Sequence, residues 1–167
     1  MTITWVSRAP ILIREPPMDS CVLTKENFQE YTGRSVGNDW DFTRFNTAHF
    51  RHIEKCIEAL GELGIEADLI VMHPYDRWGF SCMRPEEDDL YWKYVIARFA
   101  AYRNIWWSLA NEYDLFDHKA VEDWEGYAKI ICGKDPYHHL RSIHNCLAFY
   151  DYNRPWITHC SIQRQDL

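Results

Sequence analysis

From Asp39 onward the apolar positions switch between two periods. Phe50, Ile53, Ile57, Leu60 and Leu63 follow i, i+3, i+4 spacing behind Thr47, a residue able to cap, so a helix is expected there. Gly61 weakens that helix and Gly64 stops it. The next run, IEADLIVMHP at 65–74, is short, apolar and closed by proline, which reads as a buried strand. The pattern then repeats. Pro85 and the acidic run Glu86–Asp89 suit a helix start, and Leu90, Tyr94, Val95 and Phe99 carry the helix to about Tyr102. NIWWSLA at 104–110 is a second strand. A third helix is expected over Asp117 to Cys132, with Val121, Trp124, Ala128 and Ile131 on one face and Gly133 and Pro136 ending it. LRSIH at 140–144 and PWITHC at 155–160 read as two further strands, with room between them for only a short helix. Before Asp39 the signals fade. ILI at 11–13 fits a short strand between Pro10 and Pro16, and residues 1–37 form a poorly patterned segment apart from a domain at 38–167.

Strand–helix–strand repetition implies parallel pairing, either in an open doubly wound sheet or in a (β/α)8 barrel. No GxGxxG or GxxxxGK[ST] follows any strand, so the usual marker of a nucleotide-binding open sheet is missing. The strand ends are the informative places. His73, Tyr75 and Asp76 close the first strand; Asn111, Glu112, Tyr113 and Asp114 the second; His144 and Asn145 the third; and the fourth reaches His159. In parallel α/β folds these ends share one face, where ligands bind. Alternation extends the argument. With Glu112 turned inward, Ala110, Ser108 and Trp106 face inward too, while Leu109, Trp107 and Ile105 face the helices.

Composition narrows the partners. The 167 residues are 47% apolar and 26% charged, as in a globular domain, and the net charge of −7 argues against nucleic acid or an anionic membrane as the main partner. No apolar run reaches the ~18 residues of a membrane span, and the first residues lack a charged start followed by an apolar stretch, so a cytoplasmic location is expected. Six cysteines without a CxxC pair read as reduced thiols. His73, His144 and His159, with Asp76 or Glu112, offer an alternative as ligands of a divalent ion in a metal-dependent hydrolase or isomerase, although no HxH or HExxH motif occurs.

WWSLANEYD at 106–114 resembles the fourth strand of the retaining glycoside hydrolases built on (β/α)8 barrels, whose mark is Asn-Glu at that strand's end. More narrowly, residues 40–167 resemble the apiosidase-like catalytic domains, through DFTRFN at 41–46, DLIVMHPYDRWGFS at 68–81 and DPYHHLRSIHN at 135–145. The resemblance implies an incomplete TIM barrel, roughly strands three to six with flanking helices. Glu112 would be the general acid/base. Asn111 would hydrogen-bond the sugar hydroxyl beside the anomeric carbon. Trp78 would stack on a sugar ring, Asp76 would bind its hydroxyls, and Tyr75, His73, His144, Asn145 and His159 would complete the substrate-binding set. A retaining reaction also needs a second carboxylate ~5–5.5 Å away. In the family it ends strand seven, and this sequence stops at Leu167, before such a strand. The expected partner is a carbohydrate, with no cofactor and no metal, and open sheet edges would favour self-association. A non-catalytic or degenerate fragment, sugar-binding at most, is the alternative.

Overall fold

The structure, a computed structural model, describes residues 2–6, 11–13, 40–74 and 83–163. In chain order the elements are β1 (Thr2–Val6), β2 (Ile11–Ile13), β3 (Trp40–Phe45), α1 (Thr47–Glu62), β4 (Glu66–Met72), α2 (Pro85–Phe99), β5 (Ile105–Ala110), α3 (Val121–Lys134) and β6 (Arg141–Ser142), with a 3-10 turn at Tyr113–Leu115. Four strands form one parallel sheet in the order β1-β4-β5-β6, and β2 and β3 pair antiparallel beside it. The register aligns Asp68 with Trp106, Ile70 with Ser108 and Met72 with Ala110. β1 draws on the poorly patterned start of the chain and pairs with β4 from Thr2↔Glu66 to Val6↔Ile70.

The core lies between the sheet and the helices. Phe50, Ile53 and Ile57 of α1, Trp92, Val95, Ile96 and Phe99 of α2, and Trp124, Ala128 and Ile131 of α3 are buried with Leu69, Val71, Ile105, Trp107 and Leu109 of the strands. Each fully buried large apolar side chain contributes ~1.5–3 kcal/mol. Trp107 also donates its indole N–H to Asp135 Oδ2 at 3.0 Å, and Asp135 lies 3.0 Å from the His139 ring. His139 Nε2 lies 2.9 Å from the Tyr102 carbonyl oxygen. This buried cluster pins the end of α3 beneath β5. Among the described residues no helix is long and apolar enough to cross a membrane.

The expected elements shift in four places. Asn46, not Thr47, caps α1, its side chain accepting from the His49 N–H at 3.1 Å. Leu63 and Leu90, expected on buried faces, are 73% and 40% exposed. Leu63 lies past the last turn, and in α2 the buried face runs through Asp88, Tyr91 and Trp92 instead. The third helix begins at Val121, later than Asp117. PWITHC is not a strand, and the residues before it form bends and turns rather than a short helix. Proline removes one ladder donor, and mixed backbone and side-chain bonds replace a regular ladder, among them the Thr158 N–H to the Arg141 carbonyl at 2.9 Å. Arg141 Nε donates to the Trp156 carbonyl at 2.9 Å, and the Arg141 N–H donates to Thr158 Oγ1 at 2.7 Å. Only the bridge His144↔Ser161 keeps parallel geometry.

Gly61 makes room for a close approach. A Cβ there would stand 3.1 Å from the amide nitrogen of Asn104, whose side chain donates to the carbonyls of Ile57 and Ile65 and so ties α1 to β4.

Candidate active site

The C-terminal ends of β4, β5 and β6 meet at one rim. The Asn111 N–H donates to the Met72 carbonyl at 2.9 Å, the His144 N–H to the Ala110 carbonyl at 3.0 Å, and the Tyr113 N–H to the His144 carbonyl at 2.9 Å. A regular parallel ladder leaves one residue between the two positions that bond a neighbour's C=O and N–H. Here two residues, Asn111 and Glu112, lie between the bonds to His144. The extra residue makes a bulge, and Glu112 absorbs it in the left-handed region, at φ 49° and ψ 56°. A non-glycine residue held there costs of order 1–3 kcal/mol and persists only where its surroundings enforce it. Bulges of this kind re-aim a side chain at a barrel rim.

Glu112 is buried, at 7% exposure. Its Oε1 accepts from Gln163 Nε2 at 3.3 Å, while among the described residues no donor reaches its buried Oε2. The Cys146 thiol lies beside it. Burial first, then the charges of Glu112 and Asp114 and a hydrogen bond to Glu112, push that thiol up from its ordinary value. Asp114, the neighbouring carboxylate, is fully engaged elsewhere. It accepts backbone N–H bonds from Cys146, Leu147 and Ala148 at 2.6, 2.7 and 2.7 Å. Burial works against its charge, but these donors hold its carboxyl below the ordinary value. Of the two acids, only Glu112 keeps an uncommitted oxygen.

The remaining expected site residues divide into three groups. Asn111 and His73 are half-buried at the ends of β5 and β4. His159 is half-buried with its ring centroid 5.3 Å from that of Trp106, and burial lowers its pKa. His144 and Asn145 are engaged with protein. His144 Nδ1 lies 3.0 Å from Ser161 Oγ and its Nε2 3.3 Å from Gln163 Oε1. Asn145, fully buried, donates to the Gln163 carbonyl at 3.0 Å and accepts from the Gln163 N–H at 3.2 Å. Tyr75, Asp76 and Trp78 lie outside the described residues. Among the described residues no three His, Cys, Asp or Glu side chains gather as metal ligands.

Sequence reasoning missed two residues here. Gln163 continues the two-residue spacing of His159 and Ser161, a signal that was present. Asp68 is a carboxylate inside an otherwise apolar strand, and its Oδ1 is buried with no partner among the described residues. Burial pushes its carboxyl up to about 6, with the nearby His144 opposing the rise.

The parallel sheet, its helices and the Asn-Glu rim define an α/β fold similar to the barrels of glycoside hydrolases. The family model of the apiosidase-like catalytic domain matches residues 19–164, and the chain belongs to that family. A candidate glycoside hydrolase from Bacteroides vulgatus is 45% identical, with a TM-score of 0.77; the match covers 92% of this chain and 28% of that one. A family 5 glycoside hydrolase from the same species shares the fold at 21% identity and TM-score 0.55, over 65% of this chain and 24% of its own. A further glycoside hydrolase gives 19% identity and TM-score 0.53 over the same shares. No curated protein sequence matches the chain. The chain thus spans less than a third of the length of these solved structures.

Proposed function

We propose that this chain carries the acid/base part of a glycoside hydrolase that cleaves glycosidic bonds with retention. The observation that supports it is Glu112 itself: a buried carboxylate on a strained bulge at the strand-end rim, with one oxygen held and the other uncommitted. In this reading Glu112 gives its proton to the leaving oxygen and then takes one from the attacking water. Asn111, next to it on the rim, binds the sugar hydroxyl beside the anomeric carbon. His73 and His159, with Tyr75, Asp76 and Trp78, line the sugar site. His144 and Asn145, engaged with Ser161 and Gln163, support the site from behind rather than touching the sugar. The second carboxylate is to be sought in the larger part of the Bacteroides protein that this chain does not span.

The test is a chimaera in which this chain replaces the matching part of the Bacteroides protein. Glu112→Gln should lower turnover of glycosides with poor leaving groups by ~10²–10⁴-fold, the usual contribution of general acid catalysis. Activated aryl glycosides need little protonation and should lose less in the first step, and added azide should restore part of their turnover. Unchanged hydrolysis of poor leaving groups would remove Glu112 from the mechanism.

A further inference from the structure

Behind Glu112 stands a row of polar side chains whose hydrogen atoms can be assigned by elimination. An ionised carboxylate only accepts, so Gln163 must turn its amide N–H to Glu112 Oε1, 3.3 Å away. Its carbonyl Oε1 then faces His144 Nε2 at 3.3 Å, and that nitrogen must carry the hydrogen. His144 Nδ1 is therefore bare and accepts from the Ser161 hydroxyl at 3.0 Å. Along the row the donors run toward Glu112, Ser161 to His144, His144 to Gln163 and Gln163 to Glu112, while the second Gln163 amide hydrogen lies toward Cys146 Sγ at 3.9 Å. The row is held rigidly. Asn145, 0% exposed, grips both backbone groups of Gln163. The Tyr152 hydroxyl donates to the Ser161 carbonyl at 2.6 Å, and Ser161 bridges to His144 through the backbone.

We propose that Gln163 and His144 are positioning residues that decide which oxygen of Glu112 carries the catalytic proton. With the row in this sense a proton on Oε1 would face the Gln163 N–H, donor against donor, and placing one there would require the Gln163 amide and the His144 tautomer to reverse together. The row therefore keeps Oε1 as an acceptor and assigns the proton to Oε2, the buried oxygen without a partner. The proposal rests on the acid/base reading of Glu112. Its direct readout is the proton position on His144, which needs no turnover.

The test is ¹⁵N NMR of the histidine rings in this chain at about pH 8.5, some two units above the ordinary imidazole value. His144 is assigned by the signal lost in His144→Asn. The expected wild-type result is a single tautomer with hydrogen on Nε2. Glu112→Leu frees the Gln163 amide to turn over, so the His144 hydrogen should shift in part or whole to Nδ1. Glu112→Gln keeps an acceptor for Gln163 and should retain the Nε2–H form. Gln163→Met removes both ends of the link and should give a tautomer mixture. A wild-type Nδ1–H tautomer would overturn the proposal without any variant. So would a His144 signal that ignores Glu112→Leu while the backbone amide spectrum shows an intact fold. If the row holds but Glu112→Gln leaves turnover unchanged in the chimaera, it is the hydrolase reading that fails.

Discussion

Asp68 shows how one side chain can couple the stability of the sheet to pH. It lies on β4 opposite Trp106, and its carboxyl is raised from 3.8 to about 6, by burial first and despite the nearby His144. A carboxyl whose folded value is raised binds its proton more tightly in the native state. Its contribution to stability is complete below about 4 and is lost as pH rises through about 6. A shift of about two units corresponds to at most about 3 kcal/mol. Asp68→Asn should therefore stabilise the chain at pH 7.5, by up to about that amount, and change little at pH 4. Urea melts of both proteins at the two pH values check this, and equal midpoints at pH 7.5 would contradict it. Residue-level legibility followed the same physics. Asn111 and Glu112 were readable because adjacent polar residues stand out at the end of an apolar strand. Gln163 was not, because its partner Glu112 lies 51 residues away in sequence and only the fold brings them together.

At the scale of elements, two links join what periodicity cannot see. The first is Asp88 in the opening turn of α2. Its Oδ2 accepts from Lys119 Nζ and from the Tyr127 hydroxyl, both at 2.6 Å, tying α2 to the segment before α3 and to α3 itself. Both ionic side chains are 3% exposed. Lys119→Met should destabilise the chain by ~3–5 kcal/mol, because it leaves a buried carboxylate without its cation. Adding Asp88→Leu should recover much of that loss, a coupling that a double-mutant cycle of urea midpoints would measure. Strict additivity would refute the pairing. The second link is Asp114. Asp114→Ala removes three charge-assisted bonds to the turn at 146–148 and should cost ~2–3 kcal/mol, loosening the turn that seats Cys146 beside Glu112. Hydrogen exchange at Cys146, Leu147 and Ala148 should rise, and unchanged protection would count against this role. The helices and central strands were legible because their apolar spacing is long and regular. The acidic start of α2 read as a dipole effect alone, since nothing local distinguishes the inward Asp88 from the acidic residues on either side of it. PWITHC looked like a strand from its composition, but here tertiary bonds from Arg141 outrank local propensity.

At the scale of the whole molecule, the sheet order β1-β4-β5-β6 leaves β1 and β6 at its edges among the described residues. On the outer side of β6 lies an irregular run. The Thr158 N–H donates to the Arg141 carbonyl at 2.9 Å, and one bridge follows at Ser161. A closed eight-stranded barrel has no edges, and closure satisfies every ladder group. The four parallel strands among the described residues do not close, so strand edges open to solvent are expected in isolation. Chemistry points the same way. In the proposed reaction Glu112 would protonate the leaving group, and retention would need a second carboxylate on the other side of the anomeric carbon. We therefore expect the isolated chain to self-associate beyond its 20.0 kDa monomer and to show no measurable glycosidase turnover. Light scattering coupled to size exclusion reads the first expectation, and aryl glycoside assays read the second. The chimaera, in which the rest of the Bacteroides protein surrounds this part, should run as a discrete species and hydrolyse activated substrates. A monomeric isolated chain that melts cooperatively and turns over glycosides would show that this chain holds a complete site.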